Sequence, residues 1–222
     1  MPITISHSDR DEPLFQNVDF ISKCKDTGLA SMIFEMLSER VPLPKEAEIF
    51  ELILKLSIDH GPNTPSSIPV ILSAKAGETI SYSVARGIEK IDDSHGGAGE
   101  NAMRLFYKIK ENNLKVGDVI SEYVKNKIRV PGFGHRLYKS DKRAQIILKE
   151  TEQIAQGSDY SKLSREIEST LEKETSKSLP INIDGALAVF LCAFGFKPEL
   201  AKAVFIIART PGLCAHYFNN KQ

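Results

Sequence analysis

The segment Pro131-Gly132-Phe133-Gly134-His135-Arg136, with Tyr138 and Lys139 just beyond it, gathers three kinds of chemistry in one loop. Its glycines reach φ > 0 and carry no side chain, so the backbone can approach a ligand closely. His135 can move a proton near neutral pH. Arg136 and Lys139 can meet phosphate or carboxylate. The same string also fits an ordinary surface turn that carries a histidine. Comparable settings surround His60 in Asp59-His60-Gly61-Pro62, His95 in His95-Gly96-Gly97-Ala98-Gly99-Glu100, Asp184 in Asn182-Ile183-Asp184-Gly185 and Arg209 in Ala208-Arg209-Thr210-Pro211-Gly212. Each has a plain alternative. Asp184 could cap the helix that follows it, His60 could close a turn, and His95 could cap its own helix. His216, on an apolar helical stretch, reads as packing, and Cys214 beside it as a small core residue.

These residues must be held by helices. Apolar positions recur at helical spacing over Gly28 to Arg40, Lys45 to Leu56, Thr64 to Ala76 and Thr79 to Glu89. Ala102, Leu105, Phe106 and Ile109 mark a stripe on a helix beginning after the HGGAG glycines. Further helices are expected over Val116 to Val124, Lys142 to Gln156 and Ser161 to Thr175. Asp141 would be the N-cap and Gly157 the C-cap of the Lys142 helix. Gly185 to Phe194 and Pro198 to Phe218 are apolar enough to be buried. Strand signals are nearly absent; Lys127 to Val130 is at most a short extended piece. The expected fold class is all-α.

Composition narrows the function. Lys+Arg and Asp+Glu are both 29 among 222 residues, so no basic excess favours nucleic acid or acidic membrane. Cys24, Cys192 and Cys214 form no CxxC and no even framework, which suits a reducing compartment. The N-terminus MPITISHSDRDEPLF shows no basic region followed by an apolar run, and no stretch has the length of a membrane span, so a cytoplasmic protein is expected. No HxxxH or HExxH spacing suggests a metal, and none is expected. No strand precedes the HGGAG glycines and no GK[ST] follows them, so neither nucleotide-loop fingerprint fits.

Five strings, DHGPN, HGGAGENAM, VPGFGHRLYKSDKRA, INIDGALA and IIARTPGLCAHYF, run in order from Asp59 to Phe218. With them the chain closely resembles the citrate synthase family, including the citryl-CoA lyases and the citryl-CoA module of ATP-citrate lyase. The resemblance implies a helical large domain, here residues 1–94 and 185–222, with a small domain, residues 95–184, inserted. It implies that Asp184 is the base at an acetyl thioester methyl, that His95 donates to the thioester oxygen, and that His135 moves the proton of a citrate hydroxyl or oxaloacetate carbonyl. His60, Arg143 and Arg209 would bind carboxylates. Pro131, Gly132, Phe133 and Gly134 would cradle the adenine of coenzyme A through their backbone, with Arg136 and Lys139 near its phosphates. The thioester would be a substrate, with no cofactor bound permanently.

The implied reaction joins or splits acetyl-CoA and oxaloacetate, with citryl-CoA cleavage first, in tricarboxylic acid metabolism. Citrate or 2-methylcitrate synthesis is the alternative, and a non-catalytic CoA- or acid-binding subunit of a larger lyase a second. A homodimer or higher homo-oligomer is expected, with a citryl-CoA synthetase as a further partner. The arginine that the family places in a C-terminal segment has no counterpart in the string ending Phe218-Asn219-Asn220-Lys221-Gln222, so one carboxylate anchor is expected to be missing or replaced.

Overall fold

The computed structural model of the chain describes residues 3–8, 11–92, 95–134 and 140–221. His135, Arg136 and Lys139 lie outside the described residues.

The chain divides into two compact units, Met1–Leu54 and Lys55–Gln222. The first opens with a three-stranded antiparallel sheet, β1 (Ser6–His7), β2 (Pro13–Phe15) and β3 (Val18–Asp19), in the order β1-β2-β3. Gln16 and Asn17 turn β2 into β3 with φ of 48° and 66°, the positive pair that a tight hairpin uses. Asp19 then caps α1 (Phe20–Asp26), its side chain accepting from Ser22 N at 2.8 Å. Helices α2 (Leu29–Ser38) and α3 (Pro44–Ser57) follow, joined by an edge-to-face pair of buried rings, Phe34 and Phe50.

The second unit is helical and carries the site. Helices α4 (Ser67–Lys75), α5 (Ile80–Ile88) and α11 (Leu200–Asn220) pack around Val70, Ala74, Val84, Leu213 and Tyr217, with Cys214 partly buried against them. Helix α10 (Ile183–Ala193), buried over nearly its whole length, packs against α6 (Ala98–Glu111), α8 (Lys142–Thr151) and α9 (Ala155–Thr175). Helix α7 (Val116–Lys125) lies on α9, and α11 also meets α6. A fold dominated by helices is therefore what the apolar spacing forms. Among the described residues no helix is long and apolar enough to cross a membrane.

Three details depart from expectation. The N-terminal sheet and α1 carry no periodicity that a pattern would reveal. Val130 is followed by a bridge at Phe133, paired with Ile181, rather than by a strand over Lys127 to Val130. Gly157 is not a C-cap: α8 stops at Thr151 and Gly157 sits in the first turn of α9. A Cβ there would fall 2.0 Å from the Thr151 carbonyl oxygen, so the glycine is what lets the two helices meet at a tight corner.

Candidate active site

Asp184 stands in the first turn of α10 but does not cap it. Asn182 does, its Oδ1 accepting from Asp184 N at 3.0 Å and Gly185 N at 3.1 Å. The Asp184 carboxylate is therefore released from capping. Its Oδ1 is closed off from solvent and has no hydrogen-bond partner in the protein. Burial dominates and pushes this carboxyl up to about 6, against the opposing pull of Arg209, Arg143 and a backbone hydrogen bond from Gly96; Asp141 adds to the rise. A carboxyl tuned to within a unit or so of neutrality can both take and return a proton.

Arg209 is 1% exposed. Its Nε donates to Ser57 O at 2.9 Å, and its guanidinium lies over the Phe205 ring at 4.8 Å. Nη1 is buried with no protein partner. Burial lowers its pKa, with Asp59 and Asp184 opposing, yet a guanidinium stays charged. An enclosed cation with an unfilled donor suits an anionic ligand better than a hydrophobic core.

Arg143 follows the N-cap of α8, Asp141, which is buried. The two are bonded from Nε to Oδ1 at 3.0 Å and from Nη2 to Oδ2 at 2.8 Å. Nη1 of Arg143 reaches His60 Nδ1 at 3.2 Å. Arginine only donates, so Nδ1 of His60 is the acceptor in this bond. These bonds occupy part of the five-donor fork and leave the rest for a ligand. The turn that presents His60 is fixed behind it: Asp59 accepts from Gly61 N at 3.1 Å and pairs with His216 Nε2 at 2.9 Å. His216 thus supports the DHGPN segment from α11.

His95 precedes α6, half-buried, with Nε2 2.9 Å from Ser66 Oγ and its ring edge-on to Phe205. Phe205 thereby touches both His95 and Arg209. Gly96 has φ +77, and any Cβ there would enter the Phe205 ring at 2.2 Å, so only glycine holds His95 this close to α11. Of the sequence-derived candidates, His60, His95, Arg143, Asp184 and Arg209 are thus joined in one cluster through Arg143, the Gly96 backbone and Phe205.

The glycine loop meets the start of α10. A Cβ on Gly185 would lie 2.3 Å from Gly132 O, and one on Gly132 2.8 Å from Gly185 Cα. Glycine on both sides lets the two backbones touch. Phe133 is buried and edge-on to Phe106, so it can offer a ligand only its backbone. Pro131 and Gly134 are partly exposed at the loop's ends. Asn182, Ser66 and Asp141 belong to this arrangement and were not singled out as site residues by sequence. Asp141 was expected only as the N-cap of its helix, and Asn182 left a similar signal, a strong N-cap type two residues before Asp184.

Residues 5–222 match the family described as citrate synthase, C-terminal domain. The chain belongs to the citrate synthase family. Within that family it is 29% identical to ATP-citrate synthase beta chain protein 1 of Arabidopsis thaliana, over 99% of this chain and 39% of the relative. It is 31% identical to the citrate synthase of Corynebacterium glutamicum, over 78% of this chain and 42% of the relative. The chain thus spans about two fifths of the length of these curated relatives. Its structure superposes on citryl-CoA lyase from Hydrogenobacter thermophilus with a TM-score of 0.90 at 29% identity, covering 97% of this chain and 84% of that one. The helical arrangement is therefore that of a citrate synthase or citryl-CoA lyase. The cluster around Asp184 is built from the strings by which the chain resembles the citrate synthase family.

Proposed function

We propose that the chain makes or breaks the carbon–carbon bond between acetyl-CoA and oxaloacetate, and that it acts as a citryl-CoA lyase. The observation that carries this reading is the Asp184 carboxyl, its buried Oδ1 without a protein partner and its pKa pushed up to about 6, within the electrostatic influence of Arg209, whose buried Nη1 also has no protein partner. A carbon acid beside a thioester needs such a base, and an oxaloacetate carboxylate needs such a cation. The high coverage of the Hydrogenobacter thermophilus citryl-CoA lyase supports the lyase direction.

In cleavage, the citryl hydroxyl gives its proton to His135. Its oxygen becomes the carbonyl of oxaloacetate, and the electrons of the breaking carbon–carbon bond pass to the thioester as an enolate. His95 donates a hydrogen bond to the enolate oxygen. Protonated Asp184 delivers its proton to the methylene carbon, giving acetyl-CoA. Synthesis reverses each step. Arg209, Arg143 and His60 hold the carboxylates, and the Pro131–Gly134 backbone, with Arg136 and Lys139, receives coenzyme A. The small domain, residues 95–184, closes on the large one to exclude water around the enolate.

Citrate synthesis is the second reading, favoured by the identity to the Corynebacterium glutamicum citrate synthase. It adds hydrolysis of the citryl thioester. Incubating the pure protein separately with citryl-CoA and with acetyl-CoA plus oxaloacetate, while following free thiol, separates the two. A lyase releases oxaloacetate from citryl-CoA without free thiol; a synthase releases thiol from both mixtures. Neither product from either mixture contradicts both readings.

A further inference from the structure

We propose that Asn182 is a positioning residue whose side-chain amide fastens the glycine loop to the N-terminus of the Asp184 helix, so that the two align and move as one piece. The proposal rests on the reading of Asp184 and His135 given above.

Capping α10 requires only an acceptor, which Asn182 Oδ1 supplies to Asp184 N and Gly185 N. Serine, threonine or aspartate would cap as well. The amide also carries a donor, and Nδ2 gives it to Gly134 O at 2.9 Å. The Asn182 backbone N–H donates to Gly132 O at 3.0 Å, and Gly134 N–H donates to Pro180 O at 2.7 Å. Three bonds thus stitch Gly132–Gly134 to Pro180–Asn182, beside the isolated bridge between Phe133 and Ile181. Gly185 packs against Gly132 O with no room for a side chain, which brings the backbones close enough for one amide to span them. Gly134 is the residue before His135 in sequence. One side chain therefore holds both the turn that presents Asp184 and the peptide from which His135 departs. Of the good N-cap types only asparagine carries a separate acceptor and donor on one side chain; aspartate lacks the donor, and the single hydroxyl of serine or threonine sits one atom closer to the backbone.

Asn182→Ser keeps the cap and replaces the amide donor with a hydroxyl one atom shorter, which falls short of Gly134 O. Hydrogen exchange at the backbone amides of Gly134 and of position 182 reads the clamp without reference to activity. These amides are expected to exchange ~10-fold faster in the variant, while those in the middle of α10 keep the parental rate. Turnover is expected to fall ~10- to 100-fold with an unchanged thermal midpoint, because misplacing one of two reacting groups costs rate and not fold. Asn182→Ala, which loses the cap too, lowers the midpoint as well. If Asn182→Ser does not fold, Asn182→Asp is isosteric, caps strongly and removes the same donor, and the same exchange is expected. Parental exchange at both amides in a folded variant overturns the clamp, and faster exchange with parental turnover overturns its positioning role. If the parent turns over neither citryl-CoA nor acetyl-CoA with oxaloacetate while exchange rises as expected, the clamp stands and the catalytic reading of the site falls.

Discussion

The Asp184 carboxyl carries opposite consequences for rate and for stability. Its pKa lies at about 6 against an ordinary value of 3.8, and burial is the main cause. Because the folded value is raised, the folded chain holds this proton more tightly than the unfolded chain. Well below pH 4 the group is neutral in both states and costs nothing; the penalty grows between about pH 4 and 6 and is complete above 6. A shift of this size corresponds to up to about 3 kcal/mol at pH 7. Asparagine copies the neutral acid. Asp184→Asn is therefore expected to raise the denaturation midpoint at pH 7 but not at pH 4, and to lower turnover ~10²- to 10⁴-fold. The parent's deprotonation of acetyl-CoA should slow below about pH 6, where Asp184 is protonated, and its cleavage of citryl-CoA should slow above it, where the proton to be delivered is gone. Parental turnover in the variant, or equal stability gains at both pH values, contradicts this account. The position of Asp184 was legible in the INIDGALA string, but its freedom was not. Whether it capped α10 depended on whether Asn182, two residues earlier, took that role, and both are good N-cap types. The same limit applied to Arg143: a sequence shows an arginine two residues after an aspartate, and not that Asp141 grips it through Nε and Nη2.

At the scale of elements, long periodic helices were readable because each buries one apolar stripe, as α6 does with Ala102, Leu105, Phe106 and Ile109. The β1–β3 sheet was not, since strands of two or three residues show no alternation and the Gln16-Asn17 turn lacks the glycine that usually marks such a hairpin. The α8–α9 corner was misplaced because Gly157 fits a helix end by type, while close packing on the Thr151 carbonyl decides its use. Helix α10 packs on α6, α8 and α9, so in the proposed closure it would move with residues 95–184, past the boundary that the resemblance places after Asp184. Arg209 and Phe205 on α11 would form the opposing wall. If closure brings Arg143 and Asp184 toward Arg209 around a dicarboxylate, oxaloacetate should bind first and tighten a CoA ester by ~5- to 150-fold. Calorimetric titration of a non-reactive acetyl-CoA analogue, with and without oxaloacetate, checks this. Equal affinities in both titrations remove the closure step.

At the scale of the whole molecule, α4 leaves Ile68 and Leu72 exposed four residues apart on one face. A face of this kind suits burial against a second chain. Sedimentation at micromolar concentration is expected to give at least twice the 24.7 kDa chain mass, and Leu72→Lys to reduce it. A parental mass near 24.7 kDa contradicts a homodimer. The central claim is that Asp184 protonates the enolate left when citryl-CoA splits. Cleavage in D₂O by the pure protein tests it most directly, read by mass spectrometry of the acetyl-CoA formed. The account predicts oxaloacetate and acetyl-CoA in equal amounts, with one solvent deuterium on the methyl group, and loss of both products in Asp184→Asn. Citryl-CoA left intact by the parent protein, or equal deuterated acetyl-CoA from the asparagine variant, would contradict it.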